Sequence, residues 1–472
     1  MTNLSHHFPD IKPDSASRRE FLRRTGALSV AASATPWAMS LAAMGEAAAQ
    51  TASDYKALVC IFMMGGNDYA NTVVPYDQAS YDAYSSVRGS LTLPRNSLSN
   101  TVLVPTTNLP DGRSYALAPS LSPLMPIFYD GALTVGLNVG TLVAPLTKAQ
   151  YNLKSVPTPP KLFSHNDQQS YWQSIAPEGA SSGWGGRMGD LLASGNGNST
   201  FTCVSVSGNS VFLSGNQLSP YSMPSSGPVP VAGIKAPLFG SNACSTALQG
   251  LMTTQRTGQL MEGSFTAVTQ RSINSYDQLA GALGSTNVAT TFPGDNTLAS
   301  QLQMVAKMIA ARNVLGVKRQ VFFVSMGNFD FHSGLGSVGG AHANLLGKVG
   351  SAMAAFYQAT KEMGVANQVT TFTASDFGRT LTSNGDGSDH GWGSMHFAMG
   401  GAVKGKSFFG TAPVVATDGP DDVGQGRLLP TTSVEQFGGT MAKWFGVSPT
   451  NLLTVMPNLQ NFSNTDLGFM AA

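Results

Sequence analysis

Charged residues are scarce in this chain of 472 residues, where Asp, Glu, Lys and Arg make up 11% of the total. Soluble proteins usually carry roughly 25%. The formal net charge is only +1 and no basic stripe is visible, although nucleic-acid binding needs a concentrated basic surface to neutralise phosphates. The sequence therefore predicts no nucleic-acid partner and offers no basic stripe for a membrane surface.

Cysteine is also scarce, with three residues at positions 60, 203 and 244. Their spacing excludes a zinc ribbon and a redox pair of the Cys-x-x-Cys type. Cys60 lies in an apolar run and is predicted to be a small core residue. A disulfide between Cys203 and Cys244 would suit an oxidising compartment, and the sequence leaves that pairing open.

Long apolar runs are absent after Gln50, where none reaches the roughly 18 to 20 residues of a membrane-spanning helix. The N-terminus, in contrast, has the pair Arg18-Arg19, a moderately apolar stretch over residues 26–44 and small residues at 47–49. This order and spacing is typical of a twin-arginine signal peptide. The alternative is an ordinary amphipathic helix, but no stripe of period 3.6 is evident.

The predicted organisation is a signal peptide over residues 1–49 and one large domain over residues 50–472. The mature chain, with no transmembrane segment, would be periplasmic or secreted, and the twin-arginine export machinery would be its first partner. Without the leader, basic and acidic residues are equal in number. Partners of the mature protein must therefore be inferred from a site rather than from overall charge.

Continuous apolar runs predict strands that are buried on both faces, as in a parallel sheet. We predict strands at residues 57–64, 132–139, 320–326, 368–373 and 395–403. Apolar residues at helical spacing predict helices at residues 298–314, 341–363 and 433–445. Alternating strands and helices indicate an α/β fold with a mostly parallel sheet.

Residues 181–293 have a different character, rich in Gly, Ser, Asn and Pro with short alternating runs. We predict an insertion of loops and small strands there, packed over or beside the main sheet. So long a stretch without elements would be unusual inside a compact core. Insertions of this kind usually shape access to a site.

Polar residues follow several of the predicted strands. Asp68 comes after the first strand, Asp330 and His332 come after the strand at 320–326, and Asp376 comes after the strand at 368–373. In an open α/β sheet, residues beyond the carboxyl ends of the strands converge. Carboxylates mixed with imidazoles favour a divalent metal site, of zinc, manganese, magnesium or calcium. For Asp68, the alternative is a turn that its side chain caps.

The histidines add weight to this interpretation. His165, His332, His390 and His396 lie in the segments just described or in candidate site loops, and His342 remains a reserve ligand. Chance scattering would rarely produce that distribution. The alternative is a set of structural hydrogen-bonding clusters.

Seven ordered segments carry a family resemblance. They are residues 64–75 (MGGNDYANTVVP), 164–169 (SHNDQQ), 183–187 (GWGGR), 329–332 (FDFH), 375–380 (SDFGRT), 389–391 (DHG) and 400–405 (GGAVKG). From about Tyr55 to its end the chain resembles the domain-of-unknown-function family 1501. That family is related to the alkaline phosphatase and sulfatase superfamily, and its members are commonly exported by the twin-arginine route.

The resemblance implies an alkaline-phosphatase-like three-layer sandwich with a loop- and strand-rich insertion. It implies metal ligation by Asp68, Asp330, His332, Asp376 and His390, with Asp389 in support. The chain also departs from the phosphatases. Phe377 stands where they have a histidine directly after the late-strand aspartate, which puts a second metal in doubt, and the Asp330–His332 spacing is shorter than theirs.

The resemblance places the superfamily's nucleophile at Ser164, a hydroxyl at a helix N-terminus where backbone donors can hold a phosphoryl or sulfuryl oxygen. A simple N-cap role for Ser164 is the alternative. His165 could be an acid or a ligand. Arg379 could clamp an anionic oxygen or form a salt bridge to Asp376 or Asp389.

The function implied is a metal-dependent hydrolase that cleaves phosphate or sulfate esters, with a small anionic ester or a glycan as its ligand. A protein without catalysis, binding a metal or a glycan in association with export, is the alternative.

Overall fold

The computed structural model of the protein describes residues 54–255 and 259–471, so the predicted signal peptide lies outside the described residues. Strands β1 to β12 are Lys56–Met63, Val73–Pro75, Val102–Leu103, Tyr115–Leu117, Leu133–Gly140, Cys203–Ser205, Tyr221–Ser222, Arg319–Met326, Val369–Ser375, Ser394–Met399, Ser407–Gly410 and Thr432–Ser433. Helices α1 to α12 are Gln78–Arg88, Met125–Tyr129, Lys148–Leu153, His165–Ser174, Trp184–Leu192, Asn242–Thr253, Leu260–Gly284, Thr297–Ala310, Arg312–Leu315, Ala341–Glu362, Val434–Phe445 and Leu452–Val455.

The main sheet has the strand order β11-β5-β10-β9-β1-β8-β6-β7, with β12 pairing onto β5. Strand β10 is antiparallel to both of its neighbours, and the other pairs are parallel. In the centre, Met63 at the end of β1 is in register with Met326 of β8 and Ser375 of β9. The loops after these three strands therefore leave the sheet side by side at one edge.

Both faces of the central strand β1 are buried. Ala57, Val59, Ile61 and Met63 belong to one hydrophobic core, and the residues between them to a second. Helices α8 and α10 contribute to the first core, and helices α4, α5 and α11 to the second. Alternate side chains of a strand point to opposite faces of the sheet, so helices are needed on both faces. The predicted three-layer α/β sandwich with a mostly parallel sheet is confirmed.

The predicted helices and strands are found within a few residues of their expected ends. Helix α11 begins with a capping box between Ser433 and Gln436 and ends at Gly446, whose φ of 116° few other residues adopt. The side chain of Asn296 accepts hydrogen bonds from the first turn of α8. None of the helices in residues 54–255 and 259–471 is long and apolar enough to cross a bilayer.

Segment 181–293 differs from its prediction. It contains helices α5, α6 and α7, the last of them 25 residues long, and its strands β6 and β7 extend the main sheet. The buried residues of α7 include Thr266, Thr269 and Ser275 beside Ile273 and Leu279. Because Thr and Ser occupy part of the buried face of α7, the apolar residues of this segment alone show only a weak helical periodicity.

The three cysteines are free thiols. Cys203 is buried in β6, whereas Cys244 is exposed on α6. The structure therefore does not contain the Cys203–Cys244 pairing that the sequence left open, and Cys60 is a buried residue of the core as predicted.

Glu435 is a buried carboxyl group in the first turn of α11. Its Oε1 accepts a hydrogen bond from Asn458 Nδ2 at 3.0 Å, and its Oε2 has no hydrogen-bond partner. Burial raises the pKa of Glu435 from 4.5 to about 7. A protonated Glu435 is favoured in the folded chain, so its contribution to stability is complete below pH 4.5 and is lost as the pH rises towards 7.

We expect Glu435→Gln to remove this pH dependence, because the amide does not ionise. Between pH 5 and pH 7, the wild-type free energy of unfolding should fall by about 2 kcal/mol more than that of the variant. Urea unfolding of both proteins with a chelator present measures the difference. Parallel pH profiles would show that Glu435 has an ordinary pKa in the folded chain.

Candidate metal centre

The edge where β1, β8 and β9 end carries a cluster of polar side chains. Asp376 directly follows β9, Asp330 lies in the loop after β8, and His390 lies in the loop between β9 and β10. His165 is the first residue of α4. The parallel register of the strands brings these segments together, although more than 200 residues separate His165 from His390.

Three imidazoles and one carboxylate meet at this edge. The Nε2 of His390 lies 3.0 Å from Nε2 of His165 and 2.9 Å from Nε2 of His332. The carboxylate of Asp330 lies 3.1 Å from His332 Nε2 and 3.5 Å from His165 Nε2. His165, Asp330 and His390 offer ligand atoms that all lie within 4.8 Å of one another. The four residues His165, Asp330, His332 and His390 are termed the ligand cluster.

The other ring nitrogen of each histidine faces a hydrogen-bond acceptor. Asp376 Oδ2 lies 2.6 Å from His165 Nδ1, Asp389 Oδ1 lies 3.0 Å from His332 Nδ1, and the Phe163 carbonyl lies 2.7 Å from His390 Nδ1. Carbonyls and ionised carboxylates only accept, so each Nδ1 carries the hydrogen.

In a neutral ring, the Nε2 then has a free lone pair. Three such lone pairs and the Asp330 carboxylate point at one another without a hydrogen between them. A proton on one ring or a bound cation satisfies them, and three imidazole nitrogens with one carboxylate oxygen are a donor set that suits zinc and similar divalent metals.

The surroundings shift the pKa values of two of these rings in opposite directions. The hydrogen bond to Asp376 raises the pKa of His165. Burial lowers the pKa of His390 and so favours its neutral, ligating form. Asp330 and His332 are about half exposed, at 44% and 48% of their side chains, so the ligand cluster is open to solvent.

Asp376, predicted as a ligand, lies behind the ligand cluster. It is fully buried and accepts hydrogen bonds from His165 Nδ1, from Gln169 Nε2 at 2.8 Å and from the Gly65 backbone at 3.1 Å. Gln169 was not singled out from the sequence. The spacing of four residues between His165 and Gln169 could have indicated it, because such residues share one helix face.

Arg379 is fully buried and forms its salt bridge with Asp330, rather than with Asp376 or Asp389. Its Nη1 lies 2.6 Å from Asp330 Oδ1 and 3.1 Å from the Gly65 carbonyl, and its Nη2 donates to the Ser388 carbonyl. Partial burial opposes ionisation of Asp330, but the hydrogen bond and charge of Arg379 outweigh it and lower the pKa. Arg379 therefore holds Asp330 in place as an anion.

The structure does not bring Asp68 into the ligand cluster. Asp68 is fully buried and pairs with Arg88 Nη2 at 2.8 Å, and it accepts from Ser388 Oγ at 2.8 Å. Arg88 also donates to the backbone carbonyls of Thr380 and Leu381. The buried pair thus fastens the loop between β9 and β10 at two points that lie between Arg379 and His390. Nothing in the sequence pattern indicated Arg88.

Ser164 is the N-cap residue of α4, and its hydroxyl donates to Asp167 Oδ2 at 2.9 Å.

Two further histidines named from the sequence lie apart from the ligand cluster. His342 is buried against Asn67 Oδ1, and burial lowers its pKa to about 4. His396 is buried in β10 beside Trp172, and burial lowers its pKa to about 3.

The family profile described as "Protein of unknown function (DUF1501)" matches residues 55–464. The chain belongs to this family. No curated protein matches the chain in sequence.

Solved structures similar to this DUF1501 chain include an oligosaccharide complex, a synthase and a sulfatase. "Ps i-CgsB in complex with k-i-k-neocarrahexaose" is 10% identical over 87% of this chain and 77% of its own, with a TM-score of 0.35. The lipoteichoic acid synthase LtaP from Listeria monocytogenes is 8% identical over the same shares, with a TM-score of 0.33. The PsFucS1 sulfatase from Pseudoalteromonas sp. is 8% identical over 92% and 73%, with a TM-score of 0.27. Because these TM-scores are low, no activity or residue role of these proteins is transferred to this chain.

Phe377 of this DUF1501 chain packs against two rings of the ligand cluster, with centroids 4.8 Å from both His165 and His390. A side chain on Gly66, where φ is 83°, would collide with the Phe377 ring. A side chain on Gly65 would reach within 2.5 Å of the Asp330 backbone nitrogen. The two glycines therefore allow the backbone to approach Asp330 and Phe377 closely, and Phe377 supports the imidazoles without offering a ligand atom.

We expect Asp68→Ala to destabilise the fold by about 3–5 kcal/mol, because it leaves the buried Arg88 charge without its partner. Replacing both residues, as in Asp68→Ala with Arg88→Met, should recover part of that loss. Denaturant unfolding measures the free energies.

The matched control is Asp130→Ala, which removes an exposed pair with Lys361 at 3.6 Å and should cost at most about 1 kcal/mol. If Asp68→Ala proves as mild as this control, the buried pair is not what holds the loop after β9.

Proposed function

We propose that the ligand cluster holds one divalent metal ion and that the protein is a metal-dependent hydrolase of phosphate or sulfate esters. The observation that carries this proposal is the convergence of three Nε2 lone pairs, each fixed by an acceptor on the other side of its ring. Carboxylate or carbonyl partners behind ligating imidazoles are a usual feature of protein metal sites. A divalent metal held here would polarise an ester oxygen and neutralise negative charge that develops on it.

The chain's own residues have separate roles in this proposal. Arg379 keeps Asp330 ionised and in position, and Asp376 keeps the His165 ring in one tautomer. Ser164 is the proposed nucleophile, adjacent to His165. The Ser164 hydroxyl donates a hydrogen bond to Asp167 Oδ2, with the two oxygens 2.9 Å apart. In the proposed step Asp167 takes this proton while Ser164 Oγ bonds to phosphorus or sulfur and the bond to the leaving oxygen breaks. The leaving group departs as the alcohol with the proton from Asp167, and water then hydrolyses the seryl ester.

We also propose export by the twin-arginine machinery to the periplasm or the exterior. The Arg18-Arg19 pair and the apolar stretch that follows support this proposal.

The proposal predicts about one divalent ion per chain by inductively coupled plasma analysis. His390→Ala should lose the ion, because His390 Nε2 is the atom closest to both other imidazoles. The control is His342→Gln, which keeps a donor for Asn67 Oδ1 outside the ligand cluster and should retain the ion. A wild-type protein without metal after reconstitution would contradict the proposal.

Turnover of aryl phosphates and aryl sulfates tests the activity. We expect hydrolysis by the wild type, loss with a chelator and loss in His390→Ala, with His342→Gln active. Bound metal with no turnover on either ester class would favour the alternative of a metal-binding protein without catalysis. Turnover that survives in His390→Ala would exclude the ligand cluster as the reacting site.

Asp376→Asn preserves the shape of the side chain but weakens its hydrogen bond with His165 Nδ1. We expect metal affinity to fall by about 10–100-fold, as for other partners behind ligating histidines. Competition titration with a metal-sensitive dye measures the dissociation constant. An unchanged constant would show that Asp376 does not orient His165 for ligation.

A further inference from the structure

The segment between α3 and α4 forms an open groove of about 530 Å³. Its lining includes Tyr151, Asn152, Lys154, Pro157, Lys161 and Leu162. This volume is in the range of ordinary ligand pockets, roughly 300–1,000 Å³. None of the roles assigned above uses this groove.

The groove segment contacts the loop that carries His390 in two places. Leu162 lines the groove, and the carbonyl of the next residue, Phe163, accepts a hydrogen bond from His390 Nδ1. On the other side, the ring of Tyr151 packs 5.7 Å from the ring of Trp392, two residues beyond His390. Lys161 precedes His165 by four residues, which span at most about 14 Å. A ligand of modest length can therefore contact the groove and the ligand cluster together.

The backbone of the groove has an uncommon conformation. Lys161 and Phe163 have φ values of 46° and 71°, whereas the φ of 52° at Lys154 belongs to the C-cap of α3. Left-handed conformations in residues other than glycine are costly and concentrate at ligand sites and switches. Arg427 holds this conformation in place, because its guanidinium lies 4.9 Å over the Phe163 ring and its Nε donates to the His390 carbonyl at 2.8 Å.

The charged side chains that line the groove are basic, in a chain with almost no net charge. Its lining contains two lysines and no acidic residue. No acidic residue occurs between Asp130 and Asp167 in the sequence. The Lys161 side chain is 70% exposed and its Nζ lies 3.7 Å from Asp167 Oδ2, so the ammonium group remains accessible.

We propose that this groove binds a second anionic group of the ligand whose ester lies at the ligand cluster. The preferred ligand is then a polyanion, such as a multiply sulfated or phosphorylated oligomer, with one ester at the metal centre and another beside Lys154 and Lys161. This inference rests on the proposed function for the position of the first ester.

Direct binding tests the groove apart from catalysis. The probes are a sulfated hexasaccharide, a linear hexaphosphate and a neutral hexasaccharide, titrated calorimetrically at one ionic strength. We expect a polyanion to bind the wild type more tightly than the neutral sugar. Lys154→Ala with Lys161→Ala should weaken that binding by about three- to tenfold, as for two exposed charge contacts. Lys154→Ala alone, which leaves the Lys161–Asp167 pair intact, should show part of the loss.

The matched control is Lys318→Ala with Lys348→Ala, which removes the same charge at two exposed positions outside the groove. Equal weakening by both double variants, or equal affinity for the neutral sugar, would overturn the proposal. The titrations are repeated in His390→Ala. If the groove variant still binds the polyanion more weakly than the control variant in the His390→Ala background, the groove proposal is supported even if the hydrolase proposal fails. The probe that shows the difference identifies sulfate or phosphate as the recognised group.

Discussion

The arrangement of the candidate metal centre depends on three hydrogen bonds at the Nδ1 atoms of its histidines. Asp376, Asp389 and the Phe163 carbonyl each accept one of them, and each therefore turns an Nε2 lone pair towards the same point. Asp376 and Asp389 lie in the loop between β9 and β10, and Phe163 precedes α4. Without them the rings could rotate or change tautomer, and the Nε2 atoms would no longer be directed towards one another.

Two buried charged groups, Arg379 and the Asp68–Arg88 ion pair, support this arrangement. Arg379 is fully buried between Asp330 and the carbonyls of Gly65 and Ser388. Asp68 and Arg88 form a second, fully buried ion pair. Ser388 connects the two, because its hydroxyl donates to Asp68 and its carbonyl accepts from Arg379. Buried pairs of this kind are costly to break, which makes them suited to holding one loop conformation rather than to adding stability.

The fold could be predicted from the sequence wherever apolar residues form long or regular patterns. The run at 57–64 is the central strand Lys56–Met63, and the pattern at 341–363 is helix Ala341–Glu362. Helix Leu260–Gly284 was missed because Thr and Ser occupy part of its buried face. The free Cys203 and Cys244 illustrate a similar limit, since their spacing says nothing about which of them the sheet buries.

By itself, the sequence determined that acids and histidines follow strands whose carboxyl ends meet, and therefore that Asp330, His332 and His390 approach one another. Only the tertiary structure decided which polar group each side chain contacts. Asp376 lies behind His165, and Asp68 pairs with Arg88, because hydrogen-bond partners depend on side-chain direction and on distances of a few ångströms that residue order does not encode.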